Sequence, residues 1–167
     1  MKAKITEKWL VKKGACLAGV EAFKNQKEKD SLKILKKLIR VKKLGWADWL
    51  VVRVMTYKQY VSYAVFAAEQ VVGIFEKKYP DDNRPRAAIN AAKKCIKNPT
   101  KKNKAAADAA ATDAANAADA ATYAAADAAG MASTAYADYT DYTSYVATAK
   151  TKLKILLYGI TLLEGGK

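Results

Sequence analysis

An all-α fold, a helical bundle with a long alanine-rich helix packed against it, is what three features of this 167-residue sequence predict. Apolar residues recur at helical spacing along most of the chain, and helix-start and helix-stop residues bracket those stretches. Seventeen of the twenty-five residues from Ala105 to Ala129 are alanine, the strongest helix former. The length is enough for one domain with a real core. Residues 1–104 read as a basic helical bundle. Residues 105–167 read as an Ala/Asp-rich helix and a C-terminal amphipathic helix, packed into the same single domain.

The first helix is expected around Trp9 to Lys24, with Leu10, Leu17 and Val20 among its apolar positions. "KEKDSLKILKKLIRVKK" makes a second, where Asp30 or Ser31 can cap the start by accepting a backbone N–H. At 100° per residue Lys33, Lys36, Lys37, Arg40 and Lys43 fall within an arc of about 120°, opposite much of the apolar set. Such a stripe is a solvated face or a docking surface. "GWADWLVVRVM" reads as a third helix, with Gly45 before it.

"MTYKQYVSYAVFAAEQVVGIFEKKYP" carries the clearest helix signals. Thr56 and Gln59 have capping-box spacing, and Pro80 stops the helix because the residue before proline is pushed out of the helical region. The segment between them is apolar on nearly every face, which predicts a central, buried helix. Glu69 sits in its middle. Buried, it would need a partner, and Arg53 is the nearest candidate by sequence; otherwise it emerges on an exposed strip or serves as a functional acid.

In "YPDDNRPRAAINAAKKCIKNP" a tight turn leads into another helix, with Pro85 in the first turn, where its missing N–H costs nothing. Arg84 and Arg86 flank that proline. They either pair locally with Asp81 and Asp82 or present a fork of guanidinium groups to a phosphate or carboxylate. Past it, Asp108, Asp113, Asp119, Asp127, Asp138 and Asp141 fall within an arc of about 140° on a helical wheel. The opposite arc is alanine, a face that lets another helix approach closely. Tyr136, Tyr139, Tyr142 and Tyr145 recur every third residue, as helix packing or as a stacking platform. "KTKLKILLYGITLL" supplies the last amphipathic helix.

Charge and missing residue types narrow the function. The formal charge is +14, with 26 Lys+Arg against 9 Asp+Glu in residues 1–104 and 4 against 7 in residues 105–167. The basic part would be drawn to nucleic acid, an anionic surface or an acidic protein. The chain has no histidine, which removes Ser–His and Cys–His nucleophiles and the usual zinc ligand sets. With no Gly-rich phosphate loop either, no catalytic residue, metal ligand or cofactor is assigned. Cys16 and Cys95 stand in no paired motif and read as buried thiols of a reducing compartment. No secretory signal or spanning segment is evident, so a soluble cytoplasmic protein is expected.

"GACLAGVEAF" (Gly14–Phe23), "LGWADWLVVRVMT" (Leu44–Thr56) and "YAVFAAEQVVGIFEKKYPDDNRPRAAINAAKK" (Tyr63–Lys94), followed by the Ala/Asp/Tyr tract, resemble the predicted immunity proteins labelled immunity protein five. The similarity covers about residues 14–145, and relatives of this type are also carried by phages. The resemblance implies an all-helical, non-enzymatic protein that binds and neutralises a toxin or defence effector. The expected contact surface centres on Lys77, Lys78, Arg84 and Arg86, with Lys33, Lys37 and Arg40 as electrostatic guides. A nucleic-acid-binding accessory protein using the same basic residues is the alternative, and no membrane contact is expected.

Overall fold

Helix is the only regular structure among the residues that the computed structural model describes, 4–107 and 140–165, with the side chains of Val71, Ile74, Lys78 and residues 140–149 outside that description. The fold is all-α, as predicted. A single antiparallel bridge between Lys4 and Asp30 is the one extended pairing among the described residues. Two compact units form, Met1–Tyr60 with Lys152–Lys167, and Val61–Thr151. The C-terminal end of the chain thus joins the first sixty residues.

In the first unit the segment expected as one helix is two, α1 (Glu7–Lys12) and α2 (Leu17–Lys24). Thr6 starts α1 by accepting the Trp9 N–H at 3.1 Å. Gly14 ends the pattern. Its φ of +72° is left-handed, a conformation glycine reaches without steric cost, and it lets the Ala15 N–H turn back to the Leu10 carbonyl at 3.0 Å. The Asp30 carboxylate, rather than Ser31, caps α3 (Ser31–Arg40) by accepting the Lys33 N–H at 2.9 Å. Ser31 is buried instead.

Helix α4 (Leu44–Val54) begins one residue before Gly45, which therefore lies in its first turn rather than ahead of it. Trp9 and Trp49 meet edge to face, with centroids 6.2 Å apart. The Arg53 guanidinium lies 4.1 Å over the Trp49 ring. It donates to the Trp49 carbonyl at 2.9 Å and to the Lys13 carbonyl, at the end of α1, at 3.4 Å. Leu10, Leu35, Leu50 and Val51 are buried in this unit, and so are Leu156 and Ile160 of the C-terminal helix α7 (Thr140–Glu164).

Helix α5 (Tyr57–Lys78) starts in the first unit and continues in the second. Its capping box forms as read: the Thr56 N–H donates to Gln59 Oε1 at 2.9 Å and the Gln59 N–H to Thr56 Oγ1 at 3.4 Å. Gln59 Nε2 also donates to the Leu162 carbonyl of α7 at 2.7 Å. The helix is not buried on every face. Tyr57 and Tyr60 are about half exposed and Glu69 is exposed, while Tyr63, Val65 and Val72 are buried.

After the turn at Tyr79–Asn83, α6 (Arg84–Lys97) runs back along α5. Val65, Val72 and Ile89 form the seam between them, flanked by Ala68, Ala92 and Ile96. Two of the flanking positions are alanine, which allows close helix approach. Residues 101–107 are helical again. Most of the expected Ala105–Ala129 helix, the aspartates from Asp108 to Asp138, and Tyr136 and Tyr139 lie outside the described residues, as do the side chains of Asp141, Tyr142 and Tyr145. No helix among the described residues is long and apolar enough to cross a membrane.

Candidate partner-binding surface

Charge divides unevenly between the two units, as it does between the two ends of the sequence. The first unit carries 19 Lys+Arg against 6 Asp+Glu, the second 11 against 10. Nearly all of the net charge therefore belongs to the first unit, and α3 concentrates it. The helix buries Leu32, Ile34 and Leu35, and the side chains of Lys33, Lys36, Lys37 and Arg40 are exposed. The opposition of apolar and basic arcs read from the sequence is thus the real division between core and solvent.

Three of the four cations have neighbours that position them. Lys33 lies 3.5 Å from Glu28, whose carboxylate also accepts the Lys29 and Asp30 N–H groups at 2.9 Å. Those contacts, the Asp30 amide foremost, hold the Glu28 carboxyl below its ordinary value. Lys36 pairs with Glu164 of α7 at 2.6 Å, and Lys37 donates to Gln26 at 3.3 Å. All are exposed contacts, of the kind that adds little net stability in water. They orient the stripe without cancelling it.

The second predicted cluster sits at the α5–α6 turn. Lys77 is exposed, and the Lys78 side chain lies outside the described ones. Arg84 grips Asp82 two-handed, Nε to Oδ1 at 2.9 Å and Nη2 to Oδ2 at 2.6 Å, and its own N–H donates to the same carboxylate at 3.1 Å. Arg86 does not pair with Asp81 or Asp82. It forms a second two-handed pair with Glu76 in the last turns of α5, at 2.7 and 2.6 Å. Each guanidinium holds its carboxyl partner, Asp82 or Glu76, below the ordinary carboxylate value, and Glu76 in turn raises Arg86. Both forks are occupied.

The expected buried pair of Glu69 and Arg53 is replaced by two other arrangements. Glu69 emerges on the exposed strip of α5 and pairs with Lys93 of α6. Arg53 satisfies itself on backbone carbonyls and an indole face. The physical reason is spacing: α5 and α6 are antiparallel, so residues equally far from the turn meet. Glu76 and Arg86 are each five residues from Asp81, and Glu69 and Lys93 are each twelve from it. That symmetry was available in the sequence as the signal for both pairs. Cys95 is buried as expected, whereas Cys16 is exposed, at the N-cap position of α2. Among the described residues no cluster of His, Cys, Asp or Glu could hold a metal ion.

A protein-family model described as "Imm-5 like putative immunity protein" matches residues 51–152. Searches of curated proteins and of solved structures returned no match.

Proposed function

The chain belongs to the Imm-5 like immunity protein family, and from that premise we propose that it binds a macromolecular partner stoichiometrically and neutralises it without turnover. The partner is a toxin effector or, for a phage-borne chain, a host defence nuclease such as a CRISPR effector, met in the cytoplasm. The observation that best supports this reading is the 19-to-6 excess of basic over acidic residues in the first unit, displayed by the exposed α3 stripe. A patch of that sign steers an acidic face toward it and speeds encounter.

Lys33, Lys37 and Arg40 act as the guides of that encounter. The turn residues Lys77, Lys78, Arg84 and Arg86 form the second part of the contact. There the two arginines exchange Asp82 and Glu76 for carboxylates of the partner, an exchange of like for like that favours specificity over raw affinity.

The test is capture of the partner from the native host by the tagged protein, identification by mass spectrometry, and titration of the purified pair. The reading predicts one partner protein saturating at a fixed molar ratio. Substrate-like consumption of the partner, or saturation far below a one-to-one ratio, contradicts it. Nucleic-acid binding is the second reading, favoured by the same stripe. It predicts an affinity that falls linearly and steeply on a log–log salt plot, by about 0.9 per phosphate contact in the slope.

A further inference from the structure

The first unit holds a half-open pocket of about 440 Å³, within the range of small-molecule sites and far larger than the voids of an ordinary packed core. Its wall is apolar, made by Leu10, Phe23, Ile34, Leu38, Leu50 and the indoles of Trp46 and Trp49. Among the described residues its charged lining is all of one sign. Lys37 and Lys43 are the ionisable amines there, and none of the described carboxylates lines it. The Lys43 ammonium is 5.4 Å from the Trp46 ring centroid, and that of Lys37 is held by Gln26, which also lines the pocket.

A further feature adds to this positive lining. Lys43 is the N-cap of α4 and supplies no side-chain cap, and the first turn of α4 has no acidic residue. The first N–H groups of that helix, next to Gly45 and Trp46 in the pocket wall, are therefore left for an acceptor. An apolar chamber lined by two cations, with the start of a helix that has no side-chain cap in its wall, complements an apolar body with one anionic end.

We propose that this pocket binds a free single-chain amphiphilic anion, an alkyl carboxylate of medium chain length. The tail lies among Leu10, Phe23, Ile34 and Leu50, and the carboxylate meets Lys37, Lys43 and the open first turn of α4. The site shares Lys37 with the α3 stripe, and its test needs no partner. Exposed Cys16 stands at the wall and reports occupancy from inside the site.

The probes are octanoate, decanoate and dodecanoate, with dodecyltrimethylammonium as the opposite-charge control, each titrated calorimetrically into the whole protein below its micellar concentration. Dodecanoate should bind one-to-one and slow alkylation of Cys16 by iodoacetamide. Affinity should rise about fourfold per methylene along the series. The cationic control should bind at least about tenfold more weakly. In the Lys37→Glu/Lys43→Glu variant the head-group preference should reverse. Ala22→Trp, which fills the chamber from the surface of α2, should abolish binding of every probe. Equal binding of anionic and cationic probes, no gain with chain length, or unslowed alkylation of Cys16 overturns the proposal and leaves the pocket as a packing face for a protein segment.

Discussion

Replacing Arg53 with methionine tests the architecture of the first unit at one side chain. Methionine keeps much of the stem's apolar contact and removes the guanidinium. The 2.9 Å bond to the Trp49 carbonyl is the stronger of its two hydrogen bonds, and the 3.4 Å bond to Lys13 is long. A half-exposed hydrogen bond of this kind is worth about 1 kcal/mol net, and a guanidinium 4.1 Å over an indole adds about 0.5–1 kcal/mol. The expected loss is therefore about 1.5–2 kcal/mol, read as a lower urea midpoint at unchanged slope. Arg53→Lys should lose an intermediate amount, since an ammonium keeps the charge but not the planar fork. Glu69→Ala is the matched comparison. A buried Glu–Arg pair would make it cost about 3–5 kcal/mol, whereas the exposed pair with Lys93 is worth about 0–1 kcal/mol. An Arg53→Met midpoint equal to wild type, or a Glu69→Ala loss in the larger range, would refute the assignment of partners.

Gly14→Ala should cost about 1 kcal/mol, because the new side chain has space but φ is +72°; an unchanged urea midpoint would contradict the left-handed turn. Ala68→Leu with Ala92→Leu should overpack the α5–α6 seam and cost about 1–3 kcal/mol in thermal melts, and no loss would mean those positions do not face it. Glu76 and Asp82 sit below their ordinary values of 4.5 and 3.8. The stability they lend is complete above those values and is lost as pH falls through the lowered ones. Acid melts should show that loss, and Arg86→Gln should remove the share belonging to Glu76; an identical pH profile in the variant would exclude the pair.

Local spacing carried most of what was legible in the sequence. The Thr56–Gln59 box, the Asp30 cap, the stop at Pro80 and the basic arc of α3 depend on residues three or four apart, whose geometry a helix sets by itself. The failures were of other kinds. The apolar pattern from Trp9 to Lys24 runs through Gly14, whose left-handed turn divides it into two helices. Matching charge with charge points Arg53 to a carboxylate, whereas two backbone carbonyls and an indole face satisfy it. Glu76–Arg86 and Glu69–Lys93 depend on the register of two antiparallel helices about their turn, which no spacing within one helix reveals. The contacts of α7 with Lys36, Asp48 and Gln59 join residues more than a hundred positions apart, and no local pattern announces them.

The most direct test of the account is the association rate of the purified partner, measured by stopped flow over a salt series, for the wild type and for Lys33→Glu/Lys37→Glu/Arg40→Glu. The account predicts a wild-type rate that falls with salt, and a variant of unchanged helical spectrum that associates at least about tenfold more slowly at low salt with a flatter dependence. A variant that associates as fast as wild type and neutralises the partner equally well would contradict it.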